Sequence, residues 1–110
     1  MPSKLNVNAK DQSTFVITCT FKDEDGNLVA PDTMKWTLTD HDGNVINSRE
    51  DVEVPAPSSV ETIVLQGNDL KYSDGNIRIL AIEATYTSTL GTGLPLNDSI
   101  IFAVEDIKAV

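Results

Sequence analysis

The chain has 110 residues, 40% of them hydrophobic, which suits a single domain with one hydrophobic core. Seventeen acidic side chains against eight basic ones give a net charge of −9, which disfavours binding to nucleic acid or anionic lipid. The apolar runs are far shorter than the roughly 20 residues that span a bilayer, so no membrane segment is expected.

The first twelve residues show no hydrophobic pattern. Residues 1–12 are expected to form a flexible arm, with an edge strand near Leu5 and Val7 as the alternative, and residues 13–110 to form the folded domain. The arm lacks the apolar stretch of a secretory signal, which predicts that the chain stays in the cytosol. Cys19 has no second cysteine to pair with, and it is predicted to be a buried thiol in a reducing compartment.

Strict alternation of apolar and polar residues begins after the arm. Phe15, Ile17, Cys19 and Phe21 alternate with β-branched residues, which predicts a half-buried strand with its odd positions in the core. An acidic turn follows at residues 23–27 (DEDGN). Asp-Gly and Gly-Asn pairs accept the positive φ of tight turns, so this segment is predicted to be an exposed turn.

The same pattern recurs around the single tryptophan. Met34, Trp36 and Leu38 alternate with polar residues and predict a second strand whose apolar face lies in the core. A second acidic turn at residues 40–44 (DHDGN) leads to a short return strand at residues 45–46. A further brief strand is expected at residues 52–54.

The second half of the chain contains the longest predicted strand. Alternation at residues 60–65 predicts one strand, and a connector then leads to a third turn at residues 74–76. Residues 77–88 predict a long central strand, with Arg78 near its solvent-exposed start and one apolar face made by Leu80, Ile82, Ala84 and Tyr86. Residues 91–96 are expected to form a loop. The last strand is expected to end near Ile107, with a core face made by Ile100, Phe102 and Val104.

No segment has apolar residues at helical spacing over ten or more residues. The count is about seven strands separated by turn signals, which predicts an all-β Greek-key sandwich. Charged residues at 49–53, with Pro31 and Pro55, are suited to protecting sheet edges from other chains. The alternative is that an uncovered edge is the docking surface.

The strands that carry Cys19, Trp36 and Tyr86 occupy the places of strands B, C and F in an immunoglobulin-like domain, and residues 13–107 resemble that fold. The resemblance implies a core tryptophan on strand C. The inter-sheet disulfide of antibody domains is not expected, because the strand around Tyr86 has no cysteine. Tyr86 is a candidate for the tyrosine corner of the family.

Residues 21–31 (FKDEDGNLVAP) and 36–47 (WTLTDHDGNVIN) resemble small immunoglobulin-like proteins of tailed bacteriophages and prophages, found in virions and tails. The resemblance implies a non-enzymatic structural or accessory role, with virion or tail proteins or host-surface glycans as partners. Similar turns occur in bacterial surface repeats, so an adhesive repeat remains an alternative. A single module without an export signal favours the phage hypothesis, with the protein in the virion or the host cytoplasm.

No arrangement of residues predicts catalysis, a cofactor or a bound metal. A small calcium-binding regulator or enzyme, with a calcium site at Asp23 and Asp25, is the remaining alternative. An EF-hand starting at Asp23 would need an acidic ligand at its twelfth position, which is Met34. His41 is predicted to lie exposed at a turn. The segment Pro55-Ala56-Pro57 and residues 85–92 are candidates for exposed contacts.

Overall fold

The computed structural model describes residues 2–4, 9–72 and 75–105, with only the backbone described at residues 2–4. This part of the chain is all-β, with nine strands, a short 3-10 helix at Gly67–Leu70 and no α-helix. The strands are β1 (Pro2–Lys4), β2 (Ala9–Lys10), β3 (Thr14–Thr20), β4 (Thr33–Thr39), β5 (Val52–Glu53), β6 (Val60–Gln66), β7 (Ile77–Ser88), β8 (Gly91–Pro95) and β9 (Asp98–Glu105).

The larger sheet has the strand order β1-β9-β7-β4-β5, with β2 also paired to β9 and β8 to β7. Strands β1 and β2 run parallel to β9, and the other pairs are antiparallel. The prediction of a long central strand at residues 77–88 is confirmed, because β7 pairs with β4 on one side and with β9 and then β8 on the other.

The smaller sheet consists of β3 and β6 alone among the described residues. The two strands pair antiparallel over seven residues each, from Thr14 opposite Gln66 to Thr20 opposite Val60. Their outward side chains are threonines, valines and one glutamine, and Val16 and Val64 are each about half exposed. An uncharged strip therefore lies on the surface of a strongly acidic protein.

One hydrophobic core joins the two sheets. The predicted inward faces are confirmed, because the inward apolar residues of β3, β4, β7 and β9 are buried, except for Phe15, which is partly buried and packs against the core. Phe15 of β3 and Phe102 of β9 meet across the core with their ring centroids 4.8 Å apart. Trp36 is 7% exposed, as expected for a core residue of β4.

Three predictions from the second half of the fold are wrong. Arg78 is buried and not at a solvent-exposed start, because it shares the inward face of β7 with Leu80. Residues 91–96 are not all loop, since Gly91–Pro95 form β8 against the far end of β7. The return strand at residues 45–46 is reduced to one bridge between Thr39 and Val45.

The described parts of the N-terminal segment lie against β9. Ala9 pairs with Val104 and is 1% exposed, so this part of the predicted arm contributes to the core. Leu5, Val7 and Ile107 lie outside the described residues, as does part of the third predicted turn. The flexibility of residues 1–12 and the boundary at residue 13 stay predictions.

Candidate functional site

A groove of about 750 Å³ opens at the end of the larger sheet where β4 begins and β8 ends. Its walls are formed by residues 32–35, 53–57 and 83–85 together with Pro95 and Asn97. The segment Pro55-Ala56-Pro57, predicted as a candidate for exposed contacts, forms one wall, with Pro55 and Ala56 exposed and Pro57 buried. Proline fixes its own φ, so this wall loses little conformational freedom when a ligand binds.

The groove is acidic because of a row of charges across three strands. Lys35 lies opposite Glu53 on one side and opposite Glu83 on the other. The Lys35 ammonium lies 3.6 Å from a carboxylate oxygen of Asp51. Among the described residues, the exposed side chains of Glu53 and Glu83 form no ion pair, so both carboxylates face solvent unneutralised.

A third carboxylate in the groove is held in place. Asp32 accepts a hydrogen bond of 2.5 Å from the hydroxyl of Thr87, and its backbone N–H donates to the carbonyl of Thr85. With Glu53 and Glu83, the groove carries three carboxylates against the single ammonium of Lys35. These groups can pair with cations and accept hydrogen bonds from a ligand.

The first acidic turn is confirmed as an exposed tight turn. One carboxylate oxygen of Asp23 accepts hydrogen bonds from the backbone N–H groups of Asp25 and Asn27, both at 2.9 Å. Gly26 has a φ of +80°, a conformation that side chains with a Cβ rarely adopt. The acidic residue that opens the turn therefore organises its backbone.

The second acidic turn repeats this geometry. One carboxylate oxygen of Asp40 accepts hydrogen bonds from the backbone N–H groups of Asp42 and Asn44, both at 2.9 Å. These bonds, the one from Asn44 first, hold the pKa of Asp40 below its usual value. His41 is exposed at the tip of this turn, as predicted.

Three carboxylates of the first turn lie close together. The oxygens of Asp23, Glu24 and Asp25 approach within 4.8 Å of one another. Glu24 accepts hydrogen bonds from the hydroxyls of Tyr86 at 2.9 Å and Ser88 at 3.2 Å, and the bond from Tyr86 raises the pKa of that phenol. The hydroxyl of Tyr86, the candidate for a tyrosine corner, thus bonds to a side chain and not to the backbone as that corner requires. The calcium alternative stays a prediction.

Cys19 is a free thiol and 8% exposed, which confirms the predicted buried cysteine. Burial raises its pKa to about 11, and the negative charges of Asp98 and Glu61 add to the rise. The thiolate that a nucleophile or a metal ligand requires is thus strongly disfavoured at neutral pH.

A buried carboxylate that was not predicted from the sequence lies in the 3-10 helix. Asp69 is 0% exposed and accepts hydrogen bonds from Arg49 at 2.8 and 3.3 Å, from Asn47 at 2.9 Å and from the backbone of Gln66 at 3.1 Å. Burial opposes ionisation of this carboxyl, but the bonds from Arg49, Asn47 and Gln66 hold its pKa below the usual value. Asp69 therefore fastens the loop after β4 to the helix after β6.

The second buried polar group is Arg78. Its guanidinium donates hydrogen bonds to the backbone carbonyls of Asp69 at 3.0 Å, Lys71 at 2.7 Å, Gly75 at 2.7 Å and Ile77 at 3.0 Å. The sequence did contain one indication that Arg78 is buried. Arg78 lies two positions before Leu80, on the face of β7 whose apolar residues were predicted to be in the core. The role of this side chain is to satisfy the carbonyls of an irregular connector.

A scan against models of known protein families gave no match, and a search of curated protein sequences gave none either.

Across the described residues, no helix has the length and apolar character needed to cross a membrane.

Proposed function

We propose that this protein is a non-enzymatic accessory module of a phage or prophage particle that binds another protein of the particle through its acidic groove. The observation that carries the binding part of the proposal is the pair of unneutralised carboxylates, Glu53 and Glu83, on either side of Lys35 in the groove. The phage part is supported by the turn sequences at residues 21–31 and 36–47.

The chemistry of the groove selects the kind of segment that binds there. A segment with lysine or arginine side chains forms charge-assisted hydrogen bonds with Glu53 and Glu83. The net charge of −9 also attracts such a segment from a distance and speeds the encounter. A basic, extended segment of a virion or tail protein is therefore the proposed partner.

The fold proposed for the module is immunoglobulin-like. The proposal equates β3, β4, β6, β7 and β9 with strands B, C, E, F and G of that fold. It is supported by the strand pairing, since β3 pairs with β6 while β4, β7 and β9 pair in another sheet. In this scheme β5 corresponds to strand C′, and Trp36 has the place of the strand C tryptophan.

Mass spectrometry of purified particles tests the assignment to a particle. Particles produced by a strain that carries the gene are compared with the same density fraction from a strain in which the gene is deleted. The proposal predicts the chain at a constant ratio to the major capsid or tail protein, and its absence from the deletion control. A chain found instead on the bacterial surface within a longer protein would contradict the proposal and favour an adhesive repeat.

A further inference from the structure

The outer edge of β3 has main-chain groups that pair with no other described strand. Phe21 donates its N–H to Ser59 at 2.8 Å, and Gly67 donates to Ser13 at 3.2 Å. These bonds establish that the odd-numbered residues of β3 bond to β6. The N–H and C=O groups of the even-numbered residues, from Thr14 to Thr20, therefore point away from β6.

The edge of β3 also lacks the features that prevent sheets from pairing. Natural edge strands are usually protected by proline, by charged side chains or by bulges, and the sequence TFVITCT of β3 has none of these. The predicted charges at residues 49–53 lie instead at β5, the edge of the larger sheet. The bridge between Lys22 and Leu28 covers the β3 edge only beyond the end of the strand.

The edge of β6 is less open. The hydroxyl of Ser58 donates to the carbonyl of Val60 at 2.6 Å, and the N–H of Gln66 donates to Asp69 at 3.1 Å. Side chains thus satisfy main-chain groups at both ends of β6. No such bond involves the outward groups of β3 among the described residues, so β3 is the better docking edge.

A shallow groove of about 300 Å³ lies beside the open edge, between the two sheets. It is lined by residues 18–21 on one side and by residues 96–98, Ile82 and Ile100 on the other. Cys19, Phe21 and Leu96 supply apolar surface there. A strand added to β3 would cover this opening with its inward side chains.

We propose that the occupant is β3 of a second copy of this chain, paired antiparallel about Ile17. In that register Thr14 lies opposite Thr20 of the second copy, and Val16 lies opposite Thr18, so all seven residues pair. The outward main-chain groups of the even-numbered residues then face each other, as an antiparallel pair requires. The two β3–β6 sheets become one four-stranded sheet.

Strand β3 itself carries no charge that would repel a second copy at this edge. Two chains of net charge −9 repel each other wherever acidic surfaces meet, but β3 has no charged residue. The proposed register places β-branched residues opposite each other and no like charges opposite each other, which is a favourable cross-strand arrangement. Phe15 of the second copy lies opposite Cys19, next to the shallow groove, which Asp98 also lines. This inference is independent of the acidic groove and of the proposed function.

The test is the mass of the full chain in solution, measured by light scattering and sedimentation over roughly a hundredfold range of concentration. The wild type is expected to shift reversibly from its monomer mass of 11.9 kDa toward twice that value. Thr18→Pro removes an N–H from the open edge and should weaken dimerisation at least about tenfold. Thr62→Pro is the matched control, because Thr62 lies directly opposite Thr18 on β6 and its N–H points to the other edge.

A second pair of variants covers the case in which proline prevents folding. Val16→Glu places a negative charge beside the symmetry axis of the proposed dimer, and Val64→Glu places the same charge opposite it on β6. Val16→Glu should dissociate the dimer and Val64→Glu should not. A wild type that stays monomeric at the highest concentration would overturn the proposal, as would dissociation by the β6 variants alone.

Discussion

Arg49 donates a hydrogen bond of 2.8 Å from Nε to a carboxylate oxygen of Asp69, whose side chain is 0% exposed. The carbonyl of Arg49 also accepts the N–H of Leu38, so this residue links the 3-10 helix to β4. The ion pair therefore connects the loop after β4, a strand of the larger sheet, to the helix after β6, a strand of the smaller sheet. Its contribution to stability is open to direct measurement.

Removing the Arg49 guanidinium leaves the buried carboxylate of Asp69 with fewer partners. Arg49→Met is expected to lower the free energy of unfolding by about 2–4 kcal/mol, because an incompletely paired buried charge is costly. Arg49→Lys keeps the charge but not the forked geometry, and it should lose less. Urea unfolding measures both variants. Equal stability of Arg49→Met and wild type would show that the pair does not hold the loop.

The depressed pKa of Asp69 predicts how stability depends on pH. Its ionised form is favoured in the folded state, so the stabilisation is fully present above the ordinary value of 3.8 and is lost as pH falls through the lower folded pKa. Asp69→Asn lacks this ionisation. The stability gap between wild type and Asp69→Asn should therefore be large near neutral pH and shrink below about pH 4. A stability gap that does not change with pH would show that ionised Asp69 does not stabilise the folded state.

Arg78 is expected to be among the most sensitive positions in the chain. Arg78→Met removes the donors for four backbone carbonyls and should destabilise the protein by about 3–5 kcal/mol. Arg78→Lys should recover only part of this loss, since one ammonium does not reach carbonyls on several sides. Thermal and urea unfolding report the effect. Full rescue by lysine would show that charge, and not the spread of donors, is what the site requires.

Trp36 tests the alternation that organises the core. Trp36→Ala should cost about 3–5 kcal/mol, because it empties a large volume between the sheets. Thr39→Ala is the control on the outward face of the same strand, and it should cost less than about 1 kcal/mol. Similar losses for the two variants would argue against the assigned faces of β4.

Period-two alternation was sufficient to predict the main strands of the core. Phe15, Ile17 and Cys19 face inward as expected, as do Met34, Trp36 and Leu38, because a strand with one buried face must place its apolar residues at every second position. The acidic turns were also predictable, since their Asp, Gly and Asn residues are those that a tight turn requires.

The buried polar groups were not predictable from composition. Arg78 and Asp69 are residue types that usually lie in solvent. The burial of Arg78 depends on carbonyls of the connector between β6 and β7, and that of Asp69 depends on donors from the loop after β4. Strand β8 was missed for a related reason. Its sequence, GTGLP, has the composition of a loop, and pairing with the far end of β7 overrides that local preference.

The groove was visible in the sequence only as separate segments. The proline segment at residues 55–57 was recognised as a candidate contact, but Glu53 and Glu83 are thirty positions apart. Only the register of β4 with β5 and β7 places these carboxylates on either side of Lys35. Strand register depends on the whole fold, so the set of residues that meet in the groove could not be predicted from any one segment of the sequence.

Binding of the purified chain to particles that lack it tests the central claim most directly. Gene-deleted particles are mixed with wild type, with the double variant Glu53→Gln and Glu83→Gln, or with Glu50→Gln, which removes an exposed acid outside the groove. We predict saturable binding of the wild type that weakens with salt, a loss of at least about tenfold for the double variant, and little change for Glu50→Gln. Absence of wild-type binding, or equal binding by the double variant, would contradict the account.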